Sequence, residues 1–461
     1  MPIDSLRRFL PFALAILLIA CWLGGGATRD SRPVDDGLLL LSLPVLVLAV
    51  AALASSDQPL GWPTRSAIGA ILVVAAIPLL QLLPLPASLW QMADARQALA
   101  QDLSNAGIAP LAGHWTMAPD YTEQAFWSLL PASAMFLATL TLSANQRRRL
   151  LQLVLLLVLF NVGVAFFQAG LPRDSSLRLY PTIVGGFGGL LVNTNHQGTA
   201  CIIGMVIAVG LAVEARVRVQ NGQANAHAAW WYIGLAAAFL LLVPLSTSRA
   251  AMVIALPALA AALIFTGGLR LARIGRSKRA AGLAIAAVVL AVLGVRGAMS
   301  WMEVDKAEEI RHTLATATAQ VGAAYAPLGS GIGSYTEAFE PLMPSSLWLA
   351  PYINHAHNEY AQWWLTGGWL AMAVLAGVLV LLAIFGWRLL SLPGRGRHAA
   401  IAGACFVAIL AALAHSWADY PLRTTTLMAT VAALAGVMLA SLAEALDRDK
   451  RKLEAAEPSQ A

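Results

Sequence analysis

Charge is scarce in this chain. Only 12% of its 461 residues are Asp, Glu, Lys or Arg, whereas 59% are hydrophobic and the mean hydropathy is +0.69. Soluble domains carry roughly 25% charged residues. The deficit excludes a large water-facing surface and makes lipid the expected solvent. Cysteine is nearly absent as well. Cys21, Cys201 and Cys405 lie far apart within apolar runs, which excludes a disulfide framework and leaves no CxxC metal spacing. No internal repeat, low-complexity tract or GxGxxG loop after a strand occurs. The formal charge of +6 and pI near 9.5 could suggest nucleic acid, but the cations sit in short clusters between apolar runs, the pattern that encodes membrane topology. Nucleic acid is therefore not an expected partner.

What the chain does have is long apolar runs, each near the roughly 20 residues that a bilayer core requires. Twelve candidate spans are read at 9–26, 37–54, 66–83, 122–142, 149–170, 197–214, 228–246, 249–267, 279–297, 366–388, 398–416 and 423–443. Arg7-Arg8 and the first run resemble a signal peptide, yet the spans that follow favour an uncleaved first helix. With the N-terminus cytoplasmic, the inside segments hold Arg7, Arg8, Arg65, Arg147–Arg149, Arg216, Arg218 and the cluster Arg270, Arg273, Arg276, Lys278, Arg279. They also hold Arg388, Arg395, Arg397, Arg448, Lys450, Arg451 and Lys452, which makes twenty of the 30 Lys and Arg. That bias supports both the count and the orientation. The expected class is all-α, a polytopic membrane protein with about 12 transmembrane helices. Residues 1–297 carry spans one to nine, 298–365 form a large outer segment, 366–443 carry the last three spans, and 444–461 are a charged cytoplasmic tail, a short helix or disordered. Outside segments also cover 84–121 and 171–196. The longest is no linker, because Trp301, Tyr325, Tyr335, Phe339, Trp348 and Tyr352 argue against disorder.

The polar chemistry gathers on the outer side. Asn354-His355-Ala356-His357-Asn358-Glu359-Tyr360 opens an apolar run that Gly367-Gly368 interrupts, and either asparagine suits a helix cap. His355 and Glu359 share a face if helical. The two histidines and the glutamate could bind an anion, move a proton or merely wet the interface, and no further motif completes a metal site, so none is expected. Ser246-Thr247-Ser248-Arg249 puts an arginine at a helix N-terminus near the outer surface. There the backbone N–H groups and the guanidinium both favour an anion such as phosphate. The bland reading is a snorkelling arginine, which the excess of inside cations disfavours. His415-Ser416-Trp417-Ala418-Asp419-Tyr420-Pro421-Leu422-Arg423 concentrates His, Asp and Arg in the last outer turn, where Asp419 and Arg423 could simply pair. Gly185-Gly186-Phe187-Gly188-Gly189 precedes Asn193-Thr194-Asn195-His196, and Pro327-Leu328-Gly329-Ser330-Gly331-Ile332-Gly333-Ser334-Tyr335 follows Arg311. Asn193, Asn195 and His196 could cap a helix or touch sugar or phosphate oxygens.

At these residues the sequence resembles the O-antigen ligase and polymerase superfamily, which includes Wzy-type polysaccharide polymerases and protein O-oligosaccharyltransferases. Gln81-Leu82-Leu83-Pro84-Leu85-Pro86 with Leu89-Trp90, the Asn193-to-His196 element, Ser248-Arg249, Pro327-to-Gly333, His357-to-Tyr360 with Gly367-Gly368, and His415-to-Arg423 carry the resemblance in order. The ligase signature runs His, then Asn, Ser or Gln, nine residues, Gly, two residues, and Gly, Thr or Tyr. His357, Asn358 and Gly368 fit it, and Ala371 departs at its last position, which tilts the assignment toward the polymerases.

The resemblance implies a GT-C-like, metal-independent membrane glycosyltransferase without cofactor, placed in a bacterial inner membrane with its large loop region and active site periplasmic. Its donor would be a glycan on undecaprenyl diphosphate, and its acceptor a glycan or lipid A core. Arg249 would bind the diphosphate, with Arg311, and with His355 and Arg423 as further candidates. His357 would orient it or assist proton transfer. From the residues themselves, the base that the acceptor hydroxyl requires near neutral pH could be His357 or Glu359, with Asp419 a weaker choice. The competing class is a lipid or glycan transporter. Transporters place ionisable groups at the bilayer midplane, whereas the spans here keep their polar clusters at one face.

Overall fold

In the computed structural model the described residues are 3–27, 32–56, 60–108, 113–172, 174–180, 187–225, 227–268, 306–348, 353–392 and 396–456. The candidate span 279–297, the basic cluster at 270–279, Gly185, Gly186, Trp301, Tyr352 and Arg395 lie outside them.

Apolar runs become helices because lipid leaves backbone groups no partner but each other. In chain order these are α1 (Ile3–Gly24), α2 (Arg32–Ala54), α3 (Trp62–Gln81), α4 (Ala87–Trp90), α5 (Asp94–Asn105), α6 (Pro119–Trp127), α7 (Leu130–Leu140) and α8 (Ala144–Ala169). There follow α9 (Thr194–Gln220), α10 (His227–Leu242), α11 (Arg249–Phe265), α12 (Lys306–Ala324), α13 (Tyr335–Phe339), α14 (Glu359–Ser391), α15 (Arg397–His415) and α16 (Thr425–Ala456). Among the described residues 8 helices are long and apolar enough to cross a membrane, and the stretches Arg8–Gly24 and Arg249–Phe265 are shorter apolar helices. No strand occurs among the described residues, where pairing is confined to an isolated bridge between Pro84 and His114.

The run 122–142, read from sequence as one span, is two helices. Proline at 131 has no N–H to give the carbonyl four residues earlier, so α6 stops at Trp127 and Pro131 opens α7. Of the two readings of the tail, helix is the one that forms, because α16 continues to Ala456.

α9 is the hub. It is apolar on all sides and buried from Asn195 to Ala215, packed by α8, α10, α11 and α15. Small residues allow the close approach. A Cβ on Gly210 would stand 2.3 Å from that of Ala404, so α9 and the alanine-rich α15 meet nearly backbone to backbone. These two helices run from a charged end, at Glu214, Arg218 and Arg397, to a histidine end, at His196 and His415. The 19 residues from Arg397 to His415 span about 27 Å, 18 steps of 1.5 Å.

The segments around 84–121 and 306–365 form a structured cap with its own apolar core, including Leu314, Val321, Tyr325, Tyr335, Phe339 and Leu365. The Gly329 loop belongs to it. Trp115 Nε1 donates to the Leu328 carbonyl (2.9 Å), Met117 N to that of Ser330 (2.7 Å), and buried Arg96 to that of Gly329 (2.7 Å). The same loop enters a break in α14. Ser330 N and Gly331 N donate to Leu365 O and Thr366 O, and Trp369 N donates to Pro327 O. Gly368 makes the break possible, with φ 58° and ψ −153°, a conformation that only glycine adopts readily, and a Cβ there would lie 2.3 Å from Pro327 O. Gln81 closes the join, donating to Thr366 O (3.1 Å) and accepting from Ile332 N (2.8 Å). Three motifs distant in sequence are thus one piece of structure.

Candidate active site

Four turns meet at the histidine end: those preceding α9, α11 and α14, and the turn between α15 and α16. Each helix that starts here has a side-chain cap from its own sequence. Asn193 Oδ1 accepts from Asn195 N (2.8 Å), Ser248 Oγ from Ala251 N (3.2 Å), and Asn358 Oδ1 from Tyr360 N and Ala361 N (both 3.0 Å). Because Asn358 caps α14, His355 precedes the helix and does not share a helical face with Glu359. Instead its Nδ1 meets Gln362 Nε2 at 3.2 Å, and Gln362 Oε1 accepts from Ala356 N.

The central carboxylate is Asp419, fully buried. Its Oδ1 lies 3.0 Å from His357 Nδ1, and its Oδ2 accepts from Asn193 Nδ2 at 3.0 Å. Capping fixes which way Asn193 faces, oxygen to the helix and nitrogen to Asp419. An ionised carboxylate only accepts, so His357 presents Nδ1–H to it. The His357 Nε2 atom then carries a lone pair and has no hydrogen-bond partner among the described residues, on a side chain that is 21% exposed. Burial would raise the Asp419 carboxyl. The His357 hydrogen bond and the nearby positive charge of Arg311 outweigh it and hold the group below the usual carboxylate range. His357 itself takes a left-handed backbone, φ 50°, uncommon outside glycine and a mark of constrained, functional positions.

Glu359 makes the second charged pair. Arg423 Nε donates to its Oε1 (2.7 Å) and Arg423 Nη2 to its Oε2 (3.0 Å), the planar fork that suits a carboxylate. The local pairing of Asp419 with Arg423 that sequence proximity suggested is therefore not formed, since each has a partner from the His357–Glu359 segment. Glu359 N also donates to Ser416 O (2.8 Å), fastening the two segments together.

Tyr420 sits among three histidine rings, its centroid 4.5 Å from that of His355, 4.9 Å from His357 and 5.4 Å from His196. Burial, with the charge of Arg423, pushes the His355 imidazole well below its ordinary value, against the opposing pull of Asp419. His196 Nε2 lies 3.4 Å from Asn193 Nδ2, a donor, so its other nitrogen carries the proton. That buried Nδ1 has no hydrogen-bond partner among the described residues.

The remaining sequence candidates lie nearby in different degrees. Arg249 is the first residue of α11 and half-buried, and it is linked to the cluster through its neighbour Ser248, whose Oγ lies 3.3 Å from His415 Nε2. Arg311, on α12, is close enough for its charge to act on Asp419 and His415. Asn195 contributes its backbone to the cap, and its side chain is buried. Gln362, Thr199 and the ring of Tyr420 were not singled out from sequence. Each acts through contacts with residues on other turns or helices that no local pattern announces. Among the described residues no three His, Cys, Asp or Glu side chains converge as a metal-ligand set.

Chemically, the end offers a buried carboxylate behind an imidazole with one free nitrogen, with Arg311 near enough for its charge to act on that carboxylate. Residues 233–376, just under a third of the chain, match the family model Wzy_C, O-antigen ligase, so the resemblance read from the motifs holds there. The matched stretch includes Arg249, Arg311, the Gly329 loop, His357 and Gly368, and excludes Asn193 and Asp419. No curated protein matches the chain.

Proposed function

We propose that this O-antigen ligase-like membrane protein transfers a glycan from a polyprenyl diphosphate, undecaprenyl diphosphate in a bacterial inner membrane, to an acceptor hydroxyl on a glycan or lipid A core. The observation that carries the reading is the 3.0 Å contact of His357 with buried Asp419, which leaves Nε2 as an open base, with Arg311 acting on Asp419 by its charge and Arg249 next to Ser248, which His415 holds. The acceptor oxygen attacks the anomeric carbon and gives its proton to His357 Nε2. The bond from that carbon to the diphosphate oxygen breaks, and the electron pair leaves with the diphosphate. Arg249 and Arg311 meet the charge that grows on it. Asp419 holds the imidazole in the right tautomer and stabilises the cation that forms. Glu359, with both oxygens on Arg423, holds that arginine rather than acting as base.

The site faces the periplasm in this reading, with both termini cytoplasmic. The twenty-cation bias read from sequence supports it, as does the gathering of Arg147, Arg148, Arg218 and Arg397 at the end of the bundle opposite the histidines. The test is transfer by the purified protein in liposomes, with lipid-diphosphate glycan and acceptor as the only substrates. Wild type is expected to transfer, and Arg249→Ala and His357→Ala each to fall about 10²–10³-fold, the usual cost of one oxyanion-stabilising or acid–base group. Full activity in both folded variants would refute the assignment.

A further inference from the structure

His415 belongs to none of the roles above, yet it is almost fully buried at the last residue of α15 and both ring nitrogens are engaged. Nδ1 meets Thr199 Oγ1 on α9 at 2.7 Å, and Nε2 meets Ser248 Oγ at 3.3 Å. Ser248 is the N-cap of α11, and the next residue is Arg249. The His415 carbonyl is engaged as well, accepting from Ala418 N (2.9 Å) and Asp419 N (3.1 Å). One residue therefore holds the turn that presents Arg249 through its ring and the turn that presents Asp419 through its backbone.

The turn is also shaped from within, Ser248 N donating to Ser246 Oγ (3.3 Å) and Thr247 N to Pro244 O (3.0 Å). Thr247 is left-handed at φ 55°, Ser246 Oγ is turned inward to Val243 O, and Gly198 of α9 lies beneath, where a Cβ would stand 2.5 Å from Ala251 Cβ and 3.0 Å from Ser246 Oγ. A turn so tightly seated needs a fixed pivot, and the ring of His415 reaches it from a second helix. With both nitrogens occupied and the side chain buried, the ring is not placed to exchange a proton with substrate.

We infer that His415 is a positioning residue, setting the Ser248–Arg249 turn in register with the His357–Asp419 pair so that the leaving diphosphate and the attacking oxygen are served together. The inference rests on the function proposed above. It assigns no contact with substrate to His415, so its loss acts on donor recognition through Ser248.

Asparagine at 415 puts its amide where Nδ1 stands, keeping Thr199 and losing Ser248. Glutamine reaches the Nε2 position and keeps Ser248. His415→Asn is expected to raise the donor KM roughly five- to tenfold, the effect of one lost hydrogen bond. Its kcat at saturating donor and its Tm stay close to wild type. His415→Gln restores donor KM to near the wild-type value. Ser248→Ala raises donor KM at least as much, because it also removes the α11 cap, and adding His415→Asn to it brings no further loss, because the link is already gone. A wild-type donor KM in folded His415→Asn, equal impairment in His415→Gln, or multiplying effects in the double variant would each overturn the inference. Arg249→Ala separates the levels. If it weakens donor binding while His415→Asn does not, only the positioning role fails; if it leaves donor binding intact, the proposed function fails first.

Discussion

The two ends of the α9–α15 pair both gather charge, and they use it differently. At the Arg397 end each acid is shared between two basic groups. Glu444 takes Arg147 and His398, and Glu214 takes Arg148 (3.1 Å) and Arg218 (3.8 Å), which ties α8, α9, α15 and α16 together. Arg397 Nε donates to His398 Nε2 and completes the chain. At the His415 end the pairs join turns rather than helices, and hydrogen-bonding capacity is left over on His357 and His196. At the arginine end the charges pair helix to helix and brace the bundle, with Arg218 Nε left without a hydrogen-bond partner among the described residues. At the histidine end the spare capacity includes His357, whose side chain is 21% exposed and so open to a ligand, and such groups are costly to leave unpaired.

That contrast can be broken at several points. The largest effect is expected at Asp419, where asparagine cannot hold the imidazole as an ionised carboxylate does, and transfer should fall by about 10³–10⁴-fold in a protein that still folds. Next is Glu359→Gln, which removes the charge facing Arg423. The side chains are 10% and 23% exposed, so the loss should approach about 3 kcal/mol, the lower end for a broken buried pair, read from denaturant unfolding in detergent. A loss below about 0.5 kcal/mol would reduce the pair to a surface contact. Gly368→Ala follows, at about 1–3 kcal/mol for the strained backbone alone. It should also loosen the Gly329 loop, seen as faster amide exchange at Ser330 and Gly331.

The smallest effect is a pH dependence. His355 is held neutral in the folded protein by burial and by the neighbouring charge of Arg423. The unfolded chain takes up that proton near pH 6.5. The stabilisation is therefore complete above about pH 6.5 and is lost as pH falls through that value toward the lower folded pKa. Tm should drop on acidification from about pH 7 to pH 5, and His355→Gln should flatten that part of the curve. An unchanged slope in the variant would remove His355 from the account.

Much of the scaffold was legible because lipid imposes one rule, that apolar runs of sufficient length become helices, and the turns carry their own caps at Asn193, Ser248 and Asn358. The break at Pro131 was legible in principle, since a proline without its N–H stood inside the supposed span. The site was legible only as a set of polar turns on one side. That Asp419 pairs with His357, 62 residues away, and Glu359 with Arg423, 64 away, is decided by how α14, α15 and α16 pack. His415 looked like one more polar residue of a turn for the same reason, because its partners Thr199 and Ser248 belong to other helices. The fit of the Gly329 loop into the break at Gly368 is likewise tertiary, although both glycine clusters were visible.

The central claim is that the histidine end works and the arginine end braces. Asp419→Asn and Glu444→Gln, compared for Tm and for glycan transfer per folded molecule, test it most directly. The account predicts that Asp419→Asn is folded and nearly inactive, and that Glu444→Gln has a lower Tm by a few degrees and keeps its activity. An active Asp419→Asn, or a folded but inactive Glu444→Gln, would contradict it.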